Sequence, residues 1–170
     1  MLPPHKVSCH DTVYPVECKQ ADFEHLLRLR TGLRRFLRWS EQQAQAAGLT
    51  SAQHQLLLAI RGHAGSPSPT IGEIADYLVL RHHSASELID RAEAAGLVVR
   101  NPDPVNGTQV RVSLTETGTD KLNRLSETHL AELAHLAPTM RALWKALEDN
   151  GSSLPRSLSV EPDRPFSLTS

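Results

Sequence analysis

The chain has 170 residues, 39% of them hydrophobic, and its 18 Lys and Arg against 19 Asp and Glu leave a formal charge of -1. That is enough to bury one good core in a single domain. No apolar run exceeds Leu56-Leu57-Leu58-Ala59-Ile60 and the first residues lack a signal-peptide core, so no membrane partner and a cytoplasmic location are expected, and two cysteines exclude a disulfide scaffold.

In chain order, residues 1–20 carry three prolines and no helical period, and they read as a mobile segment. A long helix is expected from about Ala21 to Ala47, with Phe23, Leu26, Leu27, Leu33, Phe36 and Leu37 on its apolar face. Thr50 with Gln53 and Thr70 with Glu73 have capping-box spacing and mark two further helix starts. Ile71, Ile74, Ala75 and Leu78 fall at i, i+3, i+4 and i+7, and Ala85, Leu88, Ile89 and Ala92 repeat that spacing one helix later. So short a connection between two amphipathic helices reads as a helix-turn-helix. The start of its second helix is open between Arg81 or His82 and Ser84, because Ser84 with Glu87 is also a capping pair. With Ser84 as the cap Glu87 is structural; with the earlier start it faces outward. A strand follows at Gly96-Leu97-Val98, and Asn106-Gly107 is a strong hairpin-turn signal. After the returning strand, Leu122, Leu125, Leu130, Leu133 and Leu136 form a second long stripe, and Pro138 is expected to start a shorter helix. Residues 151–170, with six serines and three prolines, read as a disordered tail.

Several of these segments, in this order, resemble the MarR family of bacterial transcription regulators. Leu49-Thr50-Ser51-Ala52-Gln53 resembles the family's LTxxQ entry to its second helix, and Ile74-Ala75-Asp76-Tyr77-Leu78 its (I/L)AxxL helix. Leu88-Ile89-Asp90-Arg91 with Gly96-Leu97-Val98 looks like the recognition helix running into the wing, and Val110–Gly118 like the returning strand with its LTxxG. The resemblance spans residues 21 to 149. It implies a mainly α fold with a small β-hairpin: a winged helix-turn-helix lobe at about 50–115, and dimerisation helices at about 21–47 and 116–149. It also implies a homodimer on double-stranded DNA, and a repressor relieved by a small-molecule effector held between the dimerisation helices and the lobe.

On that resemblance Arg81, His82, His83, Ser84, Ser86 and Glu87 occupy the turn and first turns of the recognition helix. Arg suits guanine or phosphate, Ser suits phosphate or several base edges, Glu can accept from cytosine N4, and His82 and His83 can donate to phosphate. Arg91 reads as a support for the wing through an ion pair. Charge pulls the other way: residues 50–115 hold five Arg or Lys and six Asp or Glu, where phosphate neutralisation calls for a basic face. The family's basic wing tip falls here on uncharged Asn106-Gly107-Thr108, leaving Arg111 as the nearest candidate for a backbone contact. A winged-helix protein-interaction or antirepressor module with weak DNA binding is therefore the alternative. No metal or cofactor is expected: His82 and His83 project about 100° apart on a helix and cannot readily share an ion, and His5, Cys9, His10 and Cys18 read as incidental residues of a mobile segment. Neither GxSxG, GxGxxG nor a P-loop occurs, so the chain is not expected to be an enzyme. Cys18, beside Lys19 and just before the first helix, is a candidate redox switch, since a helix N-terminus and a cation lower a thiol pKa and some members of the resembled family sense peroxide through an N-terminal cysteine.

Overall fold

A computed structural model of the chain describes residues 19–65 and 67–150. Five helices and one hairpin follow in the order α1 (Gln20–Ala46), α2 (Ser51–Gly62), α3 (Ile71–Leu78), α4 (His82–Ala94), β1 (Val98–Pro102), β2 (Val110–Leu114) and α5 (Glu116–Asn150). The mobile and disordered segments expected at the two ends, with Cys18 and the other N-terminal thiol and imidazoles, lie outside these residues. Lys19 and Gln20 are the exception: they begin α1, where Asp22 accepts from the Lys19 amide at 2.7 Å.

The lobe from α2 to β2 packs around one core, to which Ala44 of α1 and Leu122 and Leu125 of α5 also contribute. Leu56 and Leu57 from α2, Ile74 from α3, Ile89 from α4, Val98 from β1 and Val112 from β2 are all fully buried. The strands pair antiparallel from Val98 opposite Leu114 to Pro102 opposite Val110. A third short edge comes from the segment before α3, where the Val112 amide donates to the Pro69 carbonyl at 2.9 Å and Thr70 bridges to Arg111. Thr50 and Thr70 cap α2 and α3 in reciprocal pairs with Gln53 and Glu73.

Three helices end in the same hydrogen-bonded turn. At the end of α1 the Leu49 amide reaches the Ala44 carbonyl at 2.9 Å, at the end of α4 Leu97 reaches Ala92 at 3.0 Å, and at the end of α3 Leu80 reaches Ala75 at 2.9 Å. Each places one residue in the left-handed region. Two of these are Gly48 and Gly96, but the third is Val79, at φ 54°. A β-branched residue there carries steric strain that glycine avoids.

Two expectations need correction. Pro138 does not start a new helix; α5 runs unbroken from Glu116 to Asn150 with Pro138 inside it. The hydrogen bond that its ring removes would have ended on Ala134, and both residues are exposed, so water can satisfy the freed carbonyl. Nor is Asn106-Gly107 a two-residue hairpin turn. The strands are joined by residues 103–109, and Gly107 is not among the glycines in the left-handed region. Asp103 organises the loop, accepting from the amides of Val105 and Asn106, each at 2.7 Å. The tip itself closes in a four-residue turn over Gly107 and Thr108, where the Gln109 amide donates to the Asn106 carbonyl at 2.8 Å.

At the lobe's far edge Thr115 caps α5, accepting from the Gly118 amide at 3.0 Å while its own hydroxyl donates to the Gly96 carbonyl at 2.7 Å. Gly118 is needed here because a Cβ would overlap the Leu97 carbonyl. From this anchor α5 turns back along α1, and the two form a stem beside the lobe. Among the described residues no helix is long and apolar enough to cross a membrane.

Candidate nucleic-acid interface

The buried stripe of α4 decides which side chains are left for a partner. Ala85, Leu88, Ile89 and Ala92 face the core, so His83, Glu87, Asp90 and Arg91 line the opposite, exposed side. The helix starts at His82 with Arg81 as its N-cap residue, and no side chain caps it. Ser84 is therefore inside the first turn rather than at its cap, and Glu87 is exposed. Arg81, His82 and His83 are exposed at the same end, whereas Ser84 and Ser86 are half-buried at the flanks.

Three of the lobe's six acidic residues are held in ion pairs. Arg100 on β1 reaches back to α4, pairing with Asp90 at 2.6 Å and Glu93 at 2.5 Å and touching the Ser86 carbonyl at 3.3 Å. The Glu93 carboxyl is held below its ordinary range, first by the Arg100 amide and then by the Arg100 side chain. The ion pair expected of Arg91 is thus made by Arg100, and Arg91 stays exposed among the outward-facing residues. That missed residue was legible, since the spacing that buries Leu88 and Ala92 turns position 91 outward. Arg100 gave no such signal, because its pairing depends on how β1 crosses α4.

Arg111 lies at the base of the wing with both ends of its guanidinium in use. Its Nε donates to the buried Asp103 carboxylate and one terminal nitrogen donates to the Ser68 carbonyl at 2.6 Å. Asp103 is held ionised below the ordinary carboxylate range, by the Asn106 and Val105 amides first and by Arg111 after them. A phosphate would have to compete for Arg111 with both internal partners. Of the lobe's eleven charged side chains, Arg100 and Arg111 with Asp90, Glu93 and Asp103 are mutually paired, leaving Arg61, Arg81 and Arg91 against Glu73, Asp76 and Glu87. Of that set α4 and its N-cap carry Arg81 and Arg91 against Glu87.

Among the described residues no three His, Cys, Asp or Glu side chains are placed to hold a metal ion. A polar cleft of about 600 Å³ opens where the stem meets the lobe, lined by Leu37, Arg38, Ser40, Glu41, Ser51 and Gln55. A larger, mainly apolar groove of about 1050 Å³ runs between α1 and α5, past Leu33, Phe36, Trp39, Leu136 and Met140.

Residues 47–107 match the family model described as MarR family. No curated protein sequence matches the chain. Among solved structures it is similar to AbsC, a MarR family transcriptional regulator from Streptomyces coelicolor, at 20% identity and a TM-score of 0.63 over 81% of this chain and 96% of that one. It is similar to MepR, a transcription regulator of the Staphylococcus aureus multidrug efflux pump MepA, at 18% identity and 0.62 over 78% and 98%. The transcriptional repressor CouR, bound to a 23-mer DNA duplex, aligns at 24% identity and 0.59 over 79% and 99%. Residues 47–107 thus carry a segment similar to the MarR family, and over most of its length the chain shares the winged-helix fold of these structures.

Proposed function

We propose that the chain is a sequence-specific DNA-binding transcription regulator that works as a homodimer on a pseudo-palindromic operator. The observation that carries this reading is α4, one side of which is buried in the core while the other presents His83, Glu87, Asp90 and Arg91, with Arg81 and His82 exposed at its N-terminal end. A helix so mounted can enter a major groove with its N-terminal residues on base edges. The likeness to a repressor bound to DNA supports the same reading. Ser84 and Ser86, half-buried at the flanks, are assigned phosphate or groove-wall contacts in this reading.

Dimerisation is supported by the stem. Leu27 is 65% exposed, Leu37 55%, Leu130 66% and Leu133 46%, on helices that bury little of their own apolar surface against each other. Two such stems brought together would place two lobes for two half-sites. The polar cleft between α1 and α2 is where a small-molecule effector would act, because filling it would change how the lobe sits on the stem, and relief of repression is the response we assign to it.

The near-neutral lobe favours one other reading, a winged-helix protein-interaction or antirepressor module with weak DNA binding. A gel shift across a salt series separates the two. The regulator loses affinity steeply as salt rises, in proportion to the phosphates it neutralises, and loses selectivity for its site when His83 or Glu87 is replaced by Ala. Binding that is salt-independent and unaffected by either substitution would point to the interaction module.

A further inference from the structure

Stem and lobe are joined by a pair of histidines that the DNA-facing surface does not use. His129 on α5 is buried beside Trp39 and Phe36 of α1, with ring centroids at 4.9 and 6.1 Å. Its Nδ1 lies 2.8 Å from the Leu125 carbonyl, which can only accept, so Nδ1 carries the proton. Its Nε2 then accepts from the Ser40 hydroxyl of α1 at 2.7 Å. On the lobe side, buried His54 of α2 packs its ring 4.8 Å from that of His129. One imidazole thus touches all three helices that meet at this junction.

We propose that His54 and His129 form a proton-operated latch: neutral, they hold α2 against α1 and α5, and when the pair takes up a proton the junction loosens and DNA affinity falls. A proton on His129 Nε2 would face the Ser40 hydroxyl, which must turn from donor to acceptor. A proton on His54 would sit in the same apolar contact, and each charge repels the other. Burial first, and the charge of His129 second, hold the His54 pKa below the ordinary histidine value. The nearby charged residues are Arg38 and Glu41 on α1, Arg61 on α2, and Arg124, Glu127 and Glu132 on α5; all but half-buried Glu132 are exposed, and His129 is the charged group that acts on His54. Because the folded pKa is depressed, the latched state is fully favoured above the ordinary histidine value, about 6.5, and loses that advantage as pH falls through it toward the depressed value. Loosening reaches the DNA because α2 also supplies Leu56 and Leu57 to the core on which α4 rests.

Only that last step rests on the DNA-binding reading, and the direction of its pH dependence is diagnostic. Positive charge gained in acid at a DNA-facing surface would strengthen binding to phosphate; the latch weakens it.

The latch itself is tested without DNA, in the full chain carrying Trp144→Phe so that Trp39 is the sole tryptophan. Its emission is followed between about pH 8 and pH 5, the range in which histidine changes charge. The proposal expects quenching on acidification, with a midpoint that His54→Gln moves upward and a transition that His129→Gln abolishes. Ser40→Ala, which keeps both imidazoles, should also raise the midpoint by removing the donor to the neutral form. In a parallel gel shift the unsubstituted chain should lose roughly tenfold in affinity on acidification, and His129→Gln should lose none. A midpoint that neither His54→Gln nor Ser40→Ala moves overturns the latch, as does affinity that rises in acid equally with and without His129. The Trp39 transition without DNA binding at any pH supports the latch and instead contradicts the regulator reading.

Discussion

The winged lobe and the stem are built from the same kinds of residue but end in opposite conditions. In the lobe, Leu56, Leu57, Ile74, Ile89, Val98 and Val112 are completely buried and most of the ion pairs are internal. In the stem, Phe23, Leu26, Leu27, Leu33, Leu37, Leu130 and Leu133 are exposed on two helices of 27 and 35 residues. A closed core gives the lobe stability of its own, whereas the stem's apolar surface gains most when a second copy covers it. Five arginines on α1 (Arg28, Arg30, Arg34, Arg35 and Arg38) are exposed, and side chains of this length can cover apolar surface while their charged heads stay in water.

The contrast is broken most severely from the lobe side. Leu56→Ala empties part of a closed core and should cost about 2–5 kcal/mol in urea unfolding. Leu133→Ser in the stem should leave the lobe's own unfolding nearly unchanged but shift sedimentation from dimer to monomer. If the stem substitution instead unfolded the lobe while the dimer persisted, the division between the two regions would be wrong. Next in size is the seam where they join. Gly118→Ala drives a methyl into the Leu97 carbonyl and should cost about 1–3 kcal/mol by forcing α5 away from the wing.

A smaller change sharpens the comparison within the lobe. Val79→Gly removes left-handed strain of about 1–2 kcal/mol and adds about 0.5–1 kcal/mol of chain entropy, so it should stabilise by up to about 1 kcal/mol in thermal unfolding. A destabilising result would mean that the exposed Val79 side chain makes a contact of its own. The wing is a second check. Because the folded pKa of Asp103 is depressed, its contribution should persist throughout the neutral range and be lost only as pH falls through the ordinary carboxylate value, about 3.9, toward the folded one. Hydrogen exchange at the Val105 and Asn106 amides reads this directly, and Arg111→Ala should speed it at neutral pH. Smallest is Thr108→Arg: one added cation at the wing tip should steepen the salt dependence of DNA binding by about one phosphate contact.

These regions also differ in how much their sequences disclose. Helix periods, the capping pairs at Thr50 and Thr70, and the Gly48 and Gly96 turns are local, so they can be read residue by residue. Ser84 with Glu87 has equally good local chemistry but does not cap α4, because the turn closing on Val79 and Leu80 returns the chain early enough for the helix to start at His82. Val79 itself hides that turn, since valine gives no signal for a left-handed residue. The outward face of α4 follows from its buried face, so the candidate contacts at Arg81, His83 and Glu87 were legible, together with the omitted Arg91. Arg100 with Asp90 and Glu93, Arg111 with Asp103, and His54 with His129 depend on how separate elements meet. The last pair is separated by most of the lobe, and no spacing rule connects its members.

The central claim is that two α4 helices, held by the stems of a homodimer, read two related half-sites. A binding selection from randomised duplex DNA tests it most directly. The account predicts an enriched pseudo-palindrome with half-site centres about one helical turn apart, or a multiple of it, and loss of preference within both halves when His83 or Glu87 is replaced by Ala. Recovery of no enriched sequence, or of a single asymmetric site whose preference survives both substitutions, would contradict it.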